Sequence, residues 1–203
     1  MSLKGKYFKL LAAIFICILS VSSFCNIPVA AKSSSKVYPA YDFNGDAGKF
    51  PKKLPNGLTI GKEKWGGYSY VPTILKGKKK VWSAAKQSII DGGGQTQFTV
   101  TSNRDTFLSY YSGATGGEMT TLVGVHQNGK VFFKKNFGSG AGLEVKFLAS
   151  NKVKVAIERV KKNWDPSREP NAARHSGIWD VKEYTISTTG HLKLVKKYIK
   201  HGL

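Results

Sequence analysis

Leu143-Glu-Val-Lys-Phe147 and Val153-Lys-Val-Ala-Ile157, joined through Asn151, decide the fold class. In the first run Leu143, Val145 and Phe147 alternate with Glu144 and Lys146, and in the second Val153, Val155 and Ile157 alternate with Lys154, Ala156 and Glu158. A period of two gives each segment one face for a core and one for water, as in a strand whose partner covers one side. The short connection around Asn151 makes the pair a tight hairpin.

The same texture extends outward. From about Trp65 the chain consists of short runs rich in Val, Ile, Thr, Phe and Tyr, separated by glycine clusters at 8–15 residues, which is the pattern of an all-β domain. Gly129-Lys-Val-Phe-Phe-Lys-Lys135 can be laid on Gly190-His-Leu-Lys-Leu-Val-Lys196, and each follows a strand and begins another. Extended backward, the match gives two four-strand units over about 96–137 and 143–199, each two hairpins, the way a propeller blade reads. Two blades cannot close a propeller. With a further hairpin over 65–75 and 80–90, the expectation is an all-β antiparallel meander of about eight to ten strands, folded into a sandwich or closed into a barrel.

Ahead of this domain lie two other segments. Lys4, Lys6 and Lys9, the apolar stretch from Leu10 to Phe24, and Val29-Ala-Ala31 have the layout of a signal peptide over residues 1–31, cleaved after Ala31. The apolar stretch falls short of the roughly 20 residues that span a bilayer, and no other membrane-spanning segment is read. Cleavage removes Cys17 and Cys25, which excludes disulfides, thiolate metal sites and thiol catalysis from the mature chain. Residues 32–64 follow neither period and read as an irregular N-terminal lead to a single domain over 65–203. Within it Asp42, Asn44 and Asp46 resemble the opening of a calcium loop. Ala47 and Lys53, however, stand where that loop needs its glycine and its bidentate glutamate, so a turn explains them better.

Charge is the strongest functional signal. The 203 residues hold 32 Lys plus Arg against 12 Asp plus Glu, a net charge of +20, and losing the three signal lysines leaves +17. That exceeds the magnitude of about 2–8 that solubility calls for in a small domain. The lysine groups Lys78, Lys79, Lys80; Lys134, Lys135; Lys161, Lys162; and Lys196, Lys197 fall at turns or strand ends, where several could share a face. Long loop 163–177 adds Trp164, Arg168 and Arg174, with Trp164 expected to be exposed. Among the other aromatics, Trp65, Trp82, Trp179, Tyr68, Tyr70, Tyr110 and Tyr111 suit either a core or a stacking surface. Lysine outnumbers arginine 28 to 4, which argues against sequence-specific nucleic-acid recognition, because the planar guanidinium is the group that reads bases.

Catalytic signals are sparse. The glycine clusters ending at Gly94, Gly117 and Gly142 lack a Gly-Lys-Ser/Thr ending and a following helix, so they read as hairpin connections rather than phosphate loops. There is no G-x-S-x-G elbow or H-E-x-x-H pair, and His126, His175, His191 and His201 are too scattered for a metal site. No metal, cofactor or catalytic set is therefore expected. The sequence points to a secreted, monomeric, non-catalytic β protein that binds an anionic extracellular polymer or surface: a cell-wall polymer, an anionic glycan or nucleic acid. The alternatives are a secreted hydrolase of an anionic substrate such as a phosphodiester, or a toxin or inhibitor of a protein partner. A hydrolase would draw on Glu118 or Glu144, Arg104 or Arg159, and His126 or His175.

Overall fold

The computed structural model describes residues 35–43, 45–65, 69–86, 94–114, 117–138 and 140–203. The expected signal peptide and the start of the lead lie outside them. Among the described residues the protein is all-β, and the strands are β1 (Lys36–Val37), β2 (Tyr41–Asp42), β3 (Lys52–Lys53), β4 (Leu58–Trp65), β5 (Ser69–Lys76), β6 (Lys79–Ser83), β7 (Gln95–Val100), β8 (Thr106–Ala114), β9 (Gly117–Val125), β10 (Val131–Gly138), β11 (Gly142–Ala149), β12 (Lys152–Val160), β13 (His175–Ile186) and β14 (Leu192–His201). No described helix is long and apolar enough to cross a membrane.

The strands form three antiparallel sheets. The N-terminal sheet runs β3-β4-β5-β6, the central sheet β7-β8-β9-β10 with β1 and β2 added at its β7 edge, and the C-terminal sheet β11-β12-β13-β14. The two four-strand units read from the repeat are the central and C-terminal meanders. The sheets stay open and pack as a sandwich-like stack, with more strands than the eight to ten expected and no closed barrel.

Each sheet is placed by its apolar face. Leu58, Ile60, Val71, Ile74 and Trp82 of the N-terminal sheet meet Phe98, Val100, Leu108, Tyr110, Val123 and Val125 of the central sheet in one buried cluster. On the opposite face of the central sheet, Phe107, Leu122 and Phe133 meet Phe147, Val153 and Ile186 of the C-terminal sheet. The central sheet is thus covered on both sides.

The irregular lead expected over 32–64 is corrected by this arrangement. Residues 36–65 supply β1 to β4, and Tyr38, Tyr41, Phe43, Phe50 and Leu54 enter the first core. Strands of two residues are too short to carry a period, so their sequence shows no alternation. The run expected over 80–90 is shorter too. β6 ends at Ser83 and passes into a 3-10 turn over Ala84–Lys86, and residues 87–93 lie outside the described ones. The calcium-like segment forms a turn: Asp46 accepts the Asp42 amide at 3.1 Å and pairs with Lys49 at 2.7 Å, while Asn44 lies outside the described residues.

Four connections share one geometry. At Leu54–Leu58, Thr101–Asp105, His126–Lys130 and Ser187–His191 the first amide donates to the fifth carbonyl at 2.9 Å, and the fourth amide returns to the first carbonyl. The fourth residue has positive φ in every case: Gly57 (82°), Arg104 (66°), Gly129 (89°) and Gly190 (83°). Glycine adopts that region freely, and Arg104 is the one described residue other than glycine that enters it. Buried Asn56 ties two of these turns together, donating to the Arg104 carbonyl and the Thr106 hydroxyl at 2.7 Å each.

Candidate functional site

Lysines concentrate on the outer face of the C-terminal sheet. Its inner face carries Phe147, Val153, Ile186, Tyr184 and Leu192 against the central sheet. On the outer face the strand registers align Lys146 with Lys154, Glu183 and Lys196; Lys152 with Thr185 and Lys193; and Trp179 with Lys200. A bulge in β14 makes this possible. Residues 193 and 196 would point to opposite faces of a regular strand, but Val195 is the extra residue between the pairs Tyr184–Leu194 and Glu183–Lys196, so Lys193, Lys196, Tyr198 and Lys200 share one side. Small Ala156 and Val181, directly opposite each other and Tyr198, are fully buried on this side, flanked by lysine stems and aromatic rings.

Six lysines on that face stand against three carboxylates, and two of the lysines are already paired. Lys154 holds Glu144 at 2.6 Å and Lys152 holds Glu183 at 2.9 Å. Lys152 keeps the Glu183 carboxyl below its usual range against the cost of burial. Lys196 lies 4.8 Å from the Tyr198 ring centroid. Lys146, Lys193, Lys196 and Lys200 are exposed, and β14 is open along nearly its whole length. The result is a basic sheet face with aromatic ground between the charges.

The other expected binding residues are dispersed over the fold. Lys78 is in the β5–β6 turn with Lys79 and Lys80 beside it on β6, and Lys80 pairs with Glu63 at 2.8 Å. Lys134 and Lys135 are consecutive on β10, an edge of the central sheet, and therefore point to opposite sides. Lys197 likewise points away from Lys196, lying opposite Lys182 on the other face of the C-terminal sheet. Lys161 and Lys162 are exposed at the start of the loop after β12. That loop is internally bonded: Asp165 accepts the Ser167 amide and hydroxyl, and the Trp164 indole reaches the Pro170 carbonyl at 3.4 Å. Trp164 is half-buried rather than exposed, Arg168 is open to solvent, and Arg174 is partly buried.

The six residues of the hydrolase reading are each held by a partner outside that set. His126 Nδ1 lies 2.7 Å from Asp105, and its ring stacks on Phe132 at 4.0 Å. Arg104 shapes its turn and reaches the Pro55 carbonyl. Arg159 clamps Asp180 with two bonds of 2.7 and 2.8 Å, holding that carboxyl below its usual range. Glu144 takes Lys154. Glu118 accepts the Leu143 amide at 2.7 Å and also engages Tyr111, whose hydroxyl is pushed up by burial and by this carboxylate. His175 bonds Glu158 at 2.6 Å.

Glu158 is the functional-looking residue that alternation conceals. Its strand parity predicts a solvated side chain, yet it is only 4% exposed and accepts the Gly177 amide at 2.7 Å as well as the His175 ring. Burial would raise its carboxyl, but the bonds from His175 and Gly177 outweigh this and hold it below the ordinary range. An ionised carboxylate only accepts, so His175 donates from Nδ1, and its Nε2 lies on a half-exposed ring.

A cleft of about 650 Å³ separates the β11 edge from the central sheet. Gln95, Gln97, Ser109, Tyr111 and Thr120 form its floor, and residues 143–146 form its wall. No group of three His, Cys, Asp or Glu among the described residues is placed to hold a metal ion. Compared with known protein families, curated proteins and solved structures, the chain matches none.

Proposed function

We propose that this protein is a non-catalytic binder of an anionic extracellular polymer, engaged by the outer face of the C-terminal sheet. The supporting observation is the β14 bulge, which gathers Lys193, Lys196 and Lys200 with Tyr198 on one open face, with Lys146 on the same face at the opposite edge of the sheet. A polyanion lying across that face exchanges condensed counterions for lysines, while Tyr198 and Trp179 offer ring surface to bases or sugars. An export signal over residues 1–31 would deliver the chain to where such polymers are found.

The test is a salt titration of binding to single-stranded DNA, heparin and teichoic acid. Four lysines outside ion pairs give a slope of log K against log salt of about −2.8 on single-stranded DNA, or roughly fiftyfold weaker binding at 200 mM than at 50 mM salt. Lys193→Gln, Lys196→Gln and Lys200→Gln together should flatten the slope to about −0.7. Tyr198→Ala should weaken binding at unchanged slope. A salt-independent affinity, or a triple variant with the wild-type slope, refutes this assignment.

One observation favours a second reading. The Glu158–His175 pair, with Arg174 next in the chain, has the parts of a general base and an anion clamp, as a phosphodiester hydrolase would require. Breakdown of any of the three polymers, abolished by His175→Ala, would establish the hydrolase instead.

A further inference from the structure

The free edge of β11 carries an arrangement that the charge argument does not use. Because the Leu143 and Phe147 amides donate away from β12, to Glu118 Oε2 at 2.7 Å and Gln97 Oε1 at 2.8 Å, the two-residue repeat directs the Val145 amide and carbonyl to the same free edge. Val145 therefore offers one donor and one acceptor to the cleft, between two neighbours whose amides are already capped. The floor opposite supplies uncharged hydrogen-bonding groups. Thr120 is 2% exposed and its hydroxyl has no partner; Ser109 is 3% exposed and spends its proton on the Gln97 carbonyl, keeping acceptor capacity; the Gln95 amide is exposed. Pro39, Ala40 and Leu143 add apolar surface at the margins.

We infer that this cleft binds a single N-acetylated amino sugar, with its acetamido carbonyl accepting from the Val145 amide, one ring hydroxyl donating to the Val145 carbonyl, and its other polar groups on Thr120, Ser109 and Gln95. A strand edge presents an N–H and a C=O side by side, and an N-acetylated sugar can match them with its acetamido carbonyl as acceptor and a neighbouring ring hydroxyl as donor, since the acetamido N–H points away from its own carbonyl. A peptide strand would need a longer free edge, which the Glu118 and Gln97 caps deny. An anion is disfavoured because Glu118 closes one end and the floor is neutral. The volume lies within the range of about 300–1,000 Å³ typical of small-ligand sites, and the apolar margins suit the acetyl methyl and the C–H face of the ring. A buried hydroxyl without a partner is costly, and a ligand that satisfies it recovers that cost.

The proposal is independent of polyanion binding, and its test is run at about 0.5 M salt, where lysine-dependent attraction is screened. Amide-resolved NMR of the mature protein is titrated with N-acetylglucosamine, with glucose, and with N-acetylglycine methylamide as a minimal peptide. N-acetylglucosamine should shift the Val145 and Thr120 amides saturably, and glucose, lacking the acetamide, should bind at least about tenfold more weakly. Thr120→Val, which keeps the side-chain shape, should weaken N-acetylglucosamine about tenfold while the dispersed spectrum confirms an intact fold. An unmoved Val145 amide at about 50 mM N-acetylglucosamine, where even a site of Kd about 10 mM would be mostly filled, overturns the proposal. So do equal binding of glucose, tighter binding of the peptide, or a Thr120→Val protein with wild-type affinity.

Discussion

Replacing Phe43 by alanine tests whether the segment before Trp65 belongs to the domain. Phe43 is fully buried, its ring lies 4.3 Å from that of Phe50, and Phe50 in turn meets Tyr41 at 5.3 Å. Deleting such a ring removes its transfer free energy and leaves a cavity that packed neighbours fill only in part, a loss of about 3–5 kcal/mol. Against a total stability of about 5–15 kcal/mol this is a large fraction. For a chain of this size each kcal/mol moves Tm by about 2–4 °C, so a loss of about 4 kcal/mol lowers it by roughly 8–16 °C. Val37→Ala, at a position 40% exposed in the same segment, should stay within about 0.5 kcal/mol. Thermal and urea unfolding of the two variants, followed by circular dichroism, measure the contrast. A Phe43→Ala protein less than about 1 kcal/mol weaker than wild type would refute the placement of residues 36–65 in the core.

Two further outcomes follow from close contacts and from charge. A Cβ on Gly140 would sit 2.0 Å from the Glu158 carbonyl oxygen, whereas one on Gly138 meets nothing within 4 Å. Gly140→Ala should therefore cost about 3 kcal/mol by forcing β11 off β12, and Gly138→Ala almost nothing, as paired melting curves would show. The Glu158 carboxyl is held below its ordinary value of 4.5, so its contribution to stability is complete above that pH and is lost as pH falls through the lowered value. Unfolding measured from pH 7 to pH 3 should show a steeper acid loss in wild type than in Glu158→Gln, and parallel curves would contradict the assignment.

Legibility from sequence followed the length of the regular segments. The β11–β12 hairpin and the two four-strand units were readable because their strands run eight residues or more, or recur with a matched turn. β1 to β3, of two residues each, carry no period, and only tertiary contacts make Phe43 and Phe50 core residues. Of the expected binding lysines, Lys196 belongs to the basic face and Lys197 does not, because alternation separates neighbours. The face was present in the sequence as a phase shift. In Leu192-Lys-Leu-Val-Lys-Lys-Tyr-Ile-Lys-His201 the apolar residues change from even to odd positions across Val195, as a one-residue bulge demands. Glu158 and Asp105 were not readable as partners of His175 and His126, since each pair is separated by 17 or 21 residues and assembled across strands.

The repeated turn explains why binding groups and acid–base pairs occupy the places they do. A meander of four strands puts its first and last hairpin turns at one end, and the four matched turns supply such ends in all three sheets. The turns are fixed by local hydrogen bonds and a positive φ, so little of their geometry is free for a site to reshape. The longer connections lead out of the opposite strand ends, and there the chain places Glu118 and Glu158, with His175 bonded to the latter, around the 140–143 segment. The sheet faces follow a different constraint. The central sheet spends both faces on packing and the N-terminal sheet gives one to the shared core, while the C-terminal sheet packs against another sheet only on its inner side. Its outer side is where six lysines can sit in strand register without displacing core residues, and β14, with a neighbour on one edge only, can bulge there without breaking a second ladder. The position of the basic face therefore follows from the order in which the three meanders stack.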